Sequence, residues 1–376
     1  MTRILVFYPS NRRTIQLETT ILAIHRRGIE IELLTTCEAG PLHTFLRSQG
    51  VPTHAHPRSK GWSLGYYVRQ IWYLAQFCRQ RGFTTVFSNL QQANFIAVFA
   101  QYLSSARFVI FRHHFKFVLP GDDIPLKPNR MERIFDRVIN RLARKIVVPG
   151  SGVYEGMRTV EHADMSRVVI LPYIYDFDRY VQPNAQAVNS IRARYPAHLT
   201  LLMSARLIPF KRHALVFSVI SDLVHEGLDL RMFVLGDGPE RDRLEGFVRT
   251  HHLEDRISML GFRADFLDYM AASDLLVHPS LTEASSNVVK EVALLGKTAI
   301  VCQGVGDFDD YLEDGRNAFL VPRSTDGSEI AAILREVYAA PDRLQTFGES
   351  LQATVLERFS AKPESVDRYL ALAEPG

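Results

Sequence analysis

Short apolar runs alternate with amphipathic stretches along nearly the whole chain of 376 residues. Apolar runs of three to seven residues predict buried strands, and the helical periodicity between them predicts helices. The predicted strands of the first half are 3–7, 29–35, 84–88, 108–111 and 145–148. Those of the second half are 199–203, 230–235, 257–260, 275–278, 298–302 and 319–321. The alternation is typical of an α/β protein with parallel sheets and crossover helices.

The pattern is interrupted at residues 178–198, which contain Pro183 and Pro196. Proline cannot continue a helix or a central strand, so we place a domain junction there. A chain of this length fits two α/β domains better than a single core. We predict an N-terminal domain over 1–180 and a C-terminal domain over 181–358. A final helical segment over 359–376 is expected to pack back on the N-terminal domain.

Charge distinguishes the two halves. The net charge is only +3, but residues 1–170 hold 23 Lys and Arg against 11 Asp and Glu. A basic first half suits an anionic membrane, a lipid-linked phosphate or an acidic saccharide, and the alternative is a solvated Arg-rich surface. One predicted helix, 64–81, concentrates aromatic residues and arginines. We expect its aromatic residues to cover the sheet and its arginines to face water; the alternative is a helix lying on a membrane surface.

Several classes of protein are not expected. No apolar stretch approaches the roughly 18 residues that span a bilayer, and the apolar run after Arg3 is too short for a signal peptide, so we expect a cytoplasmic protein. The basic first half leaves contact with the inner face of a membrane open. Cys37, Cys78 and Cys302 are too few and too widely spaced for a disulfide framework or a zinc site. No metal and no bound cofactor are expected. Nucleic acid is not an expected partner, because no binding signature for it is present.

Four segments of the second half carry the candidate chemistry. In chain order they are Ser-Ala-Arg-Leu at 204–207 with Lys211, Gly-Asp-Gly-Pro-Glu at 236–240, Gly-Phe-Arg at 261–263, and His-Pro-Ser at 278–280 leading to Glu283 and Glu291. Their order and spacing resemble the donor-binding domain of retaining GT-B glycosyltransferases of family 4, the group 1 type, over about residues 199–322. The resemblance implies two Rossmann-like domains whose parallel sheets face each other across a cleft.

Two cations follow the first strand of the second domain. Arg206 and Lys211 are expected at the carboxyl edge of the sheet, where open α/β sheets bind ligands. A guanidinium and an ammonium together suit a diphosphate, and the resemblance assigns both residues to the charge that grows on the leaving nucleoside diphosphate.

Glu283 and Glu291 resemble the two acids of the family's E-x7-E motif. Glu283 is expected in the loop before a helix, where it would reach sugar hydroxyls, and Glu291 about one turn inside the helix, where it would accept from ribose hydroxyls. The N–H groups at the start of that helix form an anion site for the diphosphate. They belong to Ser285, Ser286, Asn287 and Val288.

The turns after two further strands complete the expected nucleotide pocket. Gly236 is expected to form part of its wall. Gly261, Phe262 and Arg263 lie where family members read the base edge through backbone groups, so the choice between uridine, guanosine and adenosine stays open. In the first domain, His113 or His114 would project from the end of a strand towards the donor sugar or the acceptor, and we favour His113. The stretch 115–129 is a candidate acceptor loop.

The chain also departs from the family pattern. Residues 11–16 replace the Gly-Gly pair that usually follows the first strand, Asp307 replaces the second glycine of a later pair, and Ala318 follows Asn317 where glycine is common. We predict a retaining hexosyltransferase that moves a sugar from a nucleoside-diphosphate sugar to a hydroxyl of a saccharide or lipid-linked acceptor, in the synthesis of bacterial surface polysaccharide or glycolipid. The alternatives are a sugar-nucleotide epimerase on the same fold and an inactive scaffold that binds sugar or membrane.

Overall fold

The computed structural model describes residues 2–56, 64–113 and 130–374. These residues form two compact units. Unit 1 contains the described residues up to 113, residues 130–177 and those from 359 onward, and unit 2 contains residues 178–358.

Unit 1 is built on a parallel sheet of seven described strands. They are β1 (Arg3–Tyr8), β2 (Glu30–Thr35), β3 (Thr53–Ala55), β4 (Thr85–Asn89), β5 (Arg107–Phe111), β6 (Ile146–Val148) and β7 (Val168–Ile170). Their spatial order is β3-β2-β1-β4-β5-β6-β7. The described helices are α1 (Ile15–Arg26), α2 (Pro41–Ser48), α3 (Leu64–Arg81), α4 (Gln91–Ala100), α5 (Arg130–Leu142), α6 (Ser151–Thr159) and, at the C-terminus, α14 (Pro363–Leu370).

Unit 2 repeats this plan with six parallel strands. They are β8 (Leu199–Ser204), β9 (Leu230–Leu235), β10 (Ile257–Gly261), β11 (Leu275–His278), β12 (Thr298–Cys302) and β13 (Phe319–Val321), in the order β10-β9-β8-β11-β12-β13. The helices are α7 (Ala185–Arg194), α8 (His213–His225), α9 (Arg241–Thr250), α10 (Phe266–Ala272), α11 (Asn287–Leu294), α12 (Ser328–Ala339) and α13 (Asp342–Phe359). The strand order reverses between β8 and β11, the switch point at which doubly wound sheets bind ligands.

The predicted strands are all present, with ends that differ by at most one residue. Central strands such as β1 and β8 are covered on both faces, which is why they appear in the sequence as continuous apolar runs. The sequence did not predict β3 and β7. Each has three residues and lies at an edge of its sheet, and β3, with the sequence Thr-His-Ala, contains no apolar run.

The C-terminal helix α14 belongs to the core of unit 1. Val366 and Tyr369 are buried in the same cluster as Ile21 of α1, and the Tyr369 hydroxyl donates to the carbonyl of Pro172 at 2.9 Å. Among the described helices of both units, none is long and apolar enough to cross a bilayer.

Helix α3 only partly follows the expectation for its aromatic residues. Tyr66 and Tyr67 are buried, as predicted, and Arg69 faces water. Trp72 does not cover the sheet, because 56% of its surface is exposed. The four-residue spacing from Leu64 to Val68 to Trp72 places these side chains on one outward face of the helix.

Candidate active site

The loops after β8 and β9 are held together at the carboxyl edge of the unit 2 sheet. Gly236 has a φ of +120°, and a Cβ at this position would lie 2.1 Å from the carbonyl oxygen of Ala205, so only glycine fits. The N–H of Leu207 donates to the carbonyl of Asp237 at 3.0 Å, and Glu240 N–H donates to Leu207 at 3.1 Å. The first two motif segments are therefore direct neighbours.

Lys211, His278 and Glu283 form a hydrogen-bonded group at the same edge. Lys211 lies in the 3₁₀ turn Pro209–Lys211, and its Nζ donates to Glu283 Oε1. His278 ends β11, and its Nε2 lies 2.7 Å from the same oxygen. The backbone fixes this pairing, because Leu281 N–H donates to the carbonyl of Phe210 at 2.9 Å.

Glu283 is ionised in this group. Burial alone would raise the pKa of Glu283, but His278 and Lys211 outweigh burial and hold this pKa well below its ordinary value. Burial lowers the pKa of His278, so the imidazole is neutral near pH 7. Because a carboxylate only accepts hydrogen bonds, His278 must carry its proton on Nε2 and donate it to Glu283.

A second histidine lies close to this group. His213, the first residue of α8, is fully buried, and neither ring nitrogen has a hydrogen-bond partner among the described residues. Burial, reinforced by the neighbouring His278 and by the charge of Lys211, lowers the pKa of His213 to about 4. His213 therefore adds no charge near pH 7.

Arg206 is the cation that the structure leaves available. It is exposed, and its guanidinium forms no ion pair or hydrogen bond with any part of the chain that the structure describes. Lys211, by contrast, is already paired with Glu283. A diphosphate could therefore bind Arg206 without displacing a carboxylate.

The start of α11 provides backbone donors. Ser286 is the N-cap residue, and the N–H groups of Ser285 and Ser286 donate to no acceptor within the described ranges. Unpaired N–H groups before a helix of eight residues, aligned with its dipole, suit a phosphate group. These two N–H groups belong to the anion site expected at residues 285–288, which stays a prediction.

A buried ion pair holds this loop against the loop after β12. Lys290 Nζ donates to Ser285 Oγ and to Asp307 Oδ2, both at 2.9 Å, and Ser285 Oγ donates to the same carboxylate oxygen at 2.6 Å. Lys290 is 0% and Asp307 1% exposed. At Gly306, with a φ of +60°, a Cβ would lie 2.9 Å from Glu283 Cβ. The two loops are therefore in contact at Glu283 and again at Ser285.

Glu291 lies apart from this hydrogen-bonded group. Among the described residues it has no hydrogen bond or ion pair. Burial, with a smaller contribution from the charge of Glu291, raises the pKa of Tyr180. Burial raises the pKa of Glu291 to about 7, although the charge of Lys290 opposes that rise.

The turn after β10 joins the site through its backbone. Gly236 N–H donates to the carbonyl of Gly261 at 2.8 Å. Phe262 is 85% exposed, and Arg263 is engaged with Asp265 at 2.5 Å. An exposed aromatic ring next to a fixed backbone turn is available for stacking on a base.

His113 lies at the corresponding edge of the unit 1 sheet. Its Nδ1 is hydrogen-bonded to the Tyr173 hydroxyl, and its Nε2 lies 2.9 Å from Asn89 Oδ1. Both ring nitrogens are occupied, so the ring is held in place. His114 and the candidate acceptor loop 115–129 lie outside the described residues.

Sequence reasoning assigned no structural or chemical role to four polar residues of the unit 2 site. They are His213, His278, Lys290 and Asp307. The His-Pro-Ser motif marked the position of His278 but not its bond to Glu283. Lys290 and Asp307 are 17 residues apart in the chain, and only the contact between their loops shows that they form a pair.

No group of three or more His, Cys, Asp or Glu that could hold a metal ion occurs within the described residues.

Comparison with known proteins places both units in one family. The model described as glycosyl transferases group 1 matches residues 190–353, and the glycosyl transferase 4-like domain model matches residues 16–173. The phosphatidylinositol N-acetylglucosaminyltransferase gpi3 subunit of Schizosaccharomyces pombe is 29% identical over 157 residues, which are 41% of this chain and 34% of that protein.

Another relative is the N-acetylgalactosamine-N,N'-diacetylbacillosaminyl-diphospho-undecaprenol 4-alpha-N-acetylgalactosaminyltransferase of Campylobacter jejuni. It is 24% identical over 60% of this chain and 59% of its own length. The chain thus spans about a third to three fifths of the length of these curated relatives.

Solved structures agree in fold. The Anabaena protein HepE, solved in complex with UDP, has a TM-score of 0.79 at 20% identity, and the match covers 98% of both chains. The two family models and the shared architecture show that the chain belongs to the family 4, group 1 glycosyltransferases of the GT-B fold.

Proposed function

We propose that this protein transfers a hexosyl group from a nucleoside-diphosphate sugar to a hydroxyl acceptor with retention of anomeric configuration. The observation that carries the proposal is the convergence of Lys211, Glu283 and the unpaired N–H groups of Ser285 and Ser286 at one edge of the unit 2 sheet. Exposed Arg206 follows β8 at that same edge.

Each group has a distinct role in this proposal. The diphosphate binds the N–H groups at the start of α11, and Arg206 and Lys211 stabilise the charge that develops as it leaves. Glu283, kept ionised by His278, accepts hydrogen bonds from hydroxyls of the donor sugar. We assign no protein nucleophile: the departing phosphate oxygen takes the acceptor proton. Two cations and backbone dipoles supply the positive charge, so the proposal assigns no role to a metal.

Glu291 is proposed to accept hydrogen bonds from the ribose of the donor. With its pKa raised to about 7 by burial, a substantial fraction of the side chain is protonated at neutral pH in the donor-free protein. Ribose hydroxyls bind the carboxylate better than the acid, because the ionised form is the stronger acceptor. Donor binding and deprotonation of Glu291 are therefore linked.

We expect the affinity for an intact UDP-sugar to weaken by about tenfold for each pH unit below 7 and to level off above about pH 8. Isothermal titration calorimetry between pH 5.5 and pH 8.5 would measure this. An intact UDP-sugar is preferred over UDP because its diphosphate carries no group that titrates near neutrality. The Glu291→Gln variant should bind more weakly and lose the slope. A parent protein with pH-independent affinity would exclude this role.

The acceptor is proposed to be a saccharide or a lipid-linked saccharide at the inner face of a membrane, in the synthesis of surface polysaccharide or glycolipid. Relatives support this by name: one is called an undecaprenol-diphosphate-linked N-acetylgalactosaminyltransferase, and another, from Rhizobium meliloti, a lipopolysaccharide core biosynthesis glycosyltransferase. Basic residues in the first half of the chain would attract an anionic acceptor.

The test begins with the donor. UDP-, GDP- and ADP-sugars are screened for an increase in melting temperature, since a ligand that binds only the folded state raises it. UDP-sugars come first because HepE was solved with UDP. The stabilising donor is then incubated with saccharide acceptors, and the anomeric configuration of the product is determined by NMR. An inverted product would refute retention. Conversion of the nucleotide sugar without acceptor would indicate an epimerase, and binding without turnover an inactive scaffold.

A further inference from the structure

Helix α3 presents an apolar stripe to solvent. Leu64, Val68 and Trp72 are 81%, 59% and 56% exposed, and their four-residue spacing aligns them along one face. The opposite face is buried through Tyr66 and Tyr67. The helix contains Arg69, Arg79 and Arg81 but no Asp or Glu.

Helix α5 presents a similar combination of residues. Met131 and Ile134 are 55% and 49% exposed. Four exposed arginines accompany them, namely Arg130, Arg133, Arg137 and Arg141. The acidic residues of this helix are turned inward: Asp136 is buried and accepts from Gln91 at 2.8 Å, and Glu132 is half-buried.

The two helices belong to one layer on the unit 1 sheet. Helix α4 packs against both, and an aromatic cluster joins all three: Tyr67 lies 5.2 Å from Phe95 and 5.6 Å from Phe135, and the two phenylalanine rings stack at 4.1 Å. Tyr67 of α3 and Phe135 of α5 therefore meet directly in this cluster. The outward residues of α3 and α5 form what we call the basic apolar surface: Leu64, Val68, Arg69, Trp72, Arg130, Met131, Arg133, Ile134, Arg137 and Arg141.

Exposed apolar side chains are concentrated here. Of the eleven large apolar residues that are exposed within the described ranges, five belong to the basic apolar surface. A cluster of exposed apolar side chains is unfavourable in water, because burying each of them lowers the free energy. The exposed arginines make the basic apolar surface positively charged. A complementary partner therefore has an apolar interior and an anionic boundary.

We infer that the basic apolar surface docks this protein on an anionic lipid bilayer. The aliphatic residues and Trp72 would enter the boundary between headgroups and acyl chains, and the arginines would contact lipid phosphates. A nucleic acid could bind the arginines, but nucleic-acid binding would not explain the exposed Leu, Ile and Met side chains. This inference rests on the proposed function, because a membrane-linked acceptor would be the reason for docking on a bilayer. Lipid binding itself can be measured without sugar transfer.

The experiment is co-sedimentation of the full chain with vesicles. One set is phosphatidylcholine alone, and the other contains about one third phosphatidylglycerol, enough for a strongly negative surface potential. We expect binding to the anionic vesicles that is at least tenfold stronger and that falls as salt is raised. The same preparations are tested for thermal stabilisation by the donor found in the screen.

Two variants separate the contributions. Val68→Ser with Trp72→Ser removes apolar contacts, and Arg133→Gln with Arg137→Gln removes charge; each should weaken vesicle binding at least tenfold while donor stabilisation is unchanged. The matched controls are Ile170→Ser with Leu356→Ser, and Arg243→Gln with Arg335→Gln, which alter exposed residues elsewhere and should bind as the parent does. Circular dichroism checks that every variant is folded.

Other outcomes would overturn the inference. Donor stabilisation without vesicle binding would refute the membrane-docking inference but leave the proposed function intact. Vesicle binding without a response to any nucleotide sugar would refute the proposed function but leave the docking inference intact. Equal binding by parent and surface variants would place the contact elsewhere. A concentration-dependent dimer that only the surface variants abolish would show that a second copy, not lipid, covers this surface.

Discussion

Replacing Lys211 by alanine is expected to lower kcat by about 10²- to 10³-fold, the usual cost of losing one preorganised group that stabilises developing charge. Lys211 Nζ binds Glu283 Oε1 directly, so its removal takes a cation from the diphosphate site and one of two donors from the carboxylate. Because this charge matters most when the diphosphate leaves, KM should change less than kcat. Steady-state kinetics with the donor identified by thermal shift would measure both.

The control for Lys211→Ala is Arg335→Ala. Arg335 is a cation of the same unit, 48% exposed and paired with Glu226 at the surface, and its loss should leave kcat unchanged. Lys211→Arg keeps the charge and should retain more activity than Lys211→Ala. Melting temperatures show whether the alanine variant is folded. A folded Lys211→Ala protein with activity within twofold of the parent would remove Lys211 from the mechanism.

Lys290→Met should lower the free energy of unfolding by about 3–5 kcal/mol, because it leaves the carboxylate of Asp307 buried without its cation. The parent pair is almost completely inaccessible to water. Asp307 Oδ1 has no hydrogen-bond partner in the described part of the chain, so Ser285 alone would remain to support the charge. Chemical denaturation followed by fluorescence would measure the loss.

A double variant tests whether charge is the cause. Lys290→Met combined with Asp307→Asn removes both charges and should recover at least half of the lost stability, since a neutral pair avoids the buried unpaired carboxylate. If the double variant is as unstable as Lys290→Met alone, packing and not charge accounts for the loss. An unchanged denaturation midpoint in the single variant would contradict the buried pair.

The same pair explains the departure from the family pattern at Asp307. In the sequence, an acid stands in place of the second glycine of a glycine pair. In the structure, Lys290 neutralises this acid from the first turns of α11, and φ at Asp307 is −108°, a value that needs no glycine. Gly306, which does require glycine, is retained against Glu283. The substitution is therefore accommodated within the loop contact.

The sequence alone determined where the strands lie and which motif segments carry the chemistry, because apolar runs, turn residues and motif spacing are local properties of the chain. Lys211 and Glu283, however, are 72 residues apart, and their contact exists because β8 and β11 are neighbours at the switch point of the sheet. Only the tertiary structure determines that β8 and β11 are neighbours, that Lys290 pairs with Asp307, and which side of α3 faces water. Each depends on what another element covers, and no local pattern encodes that.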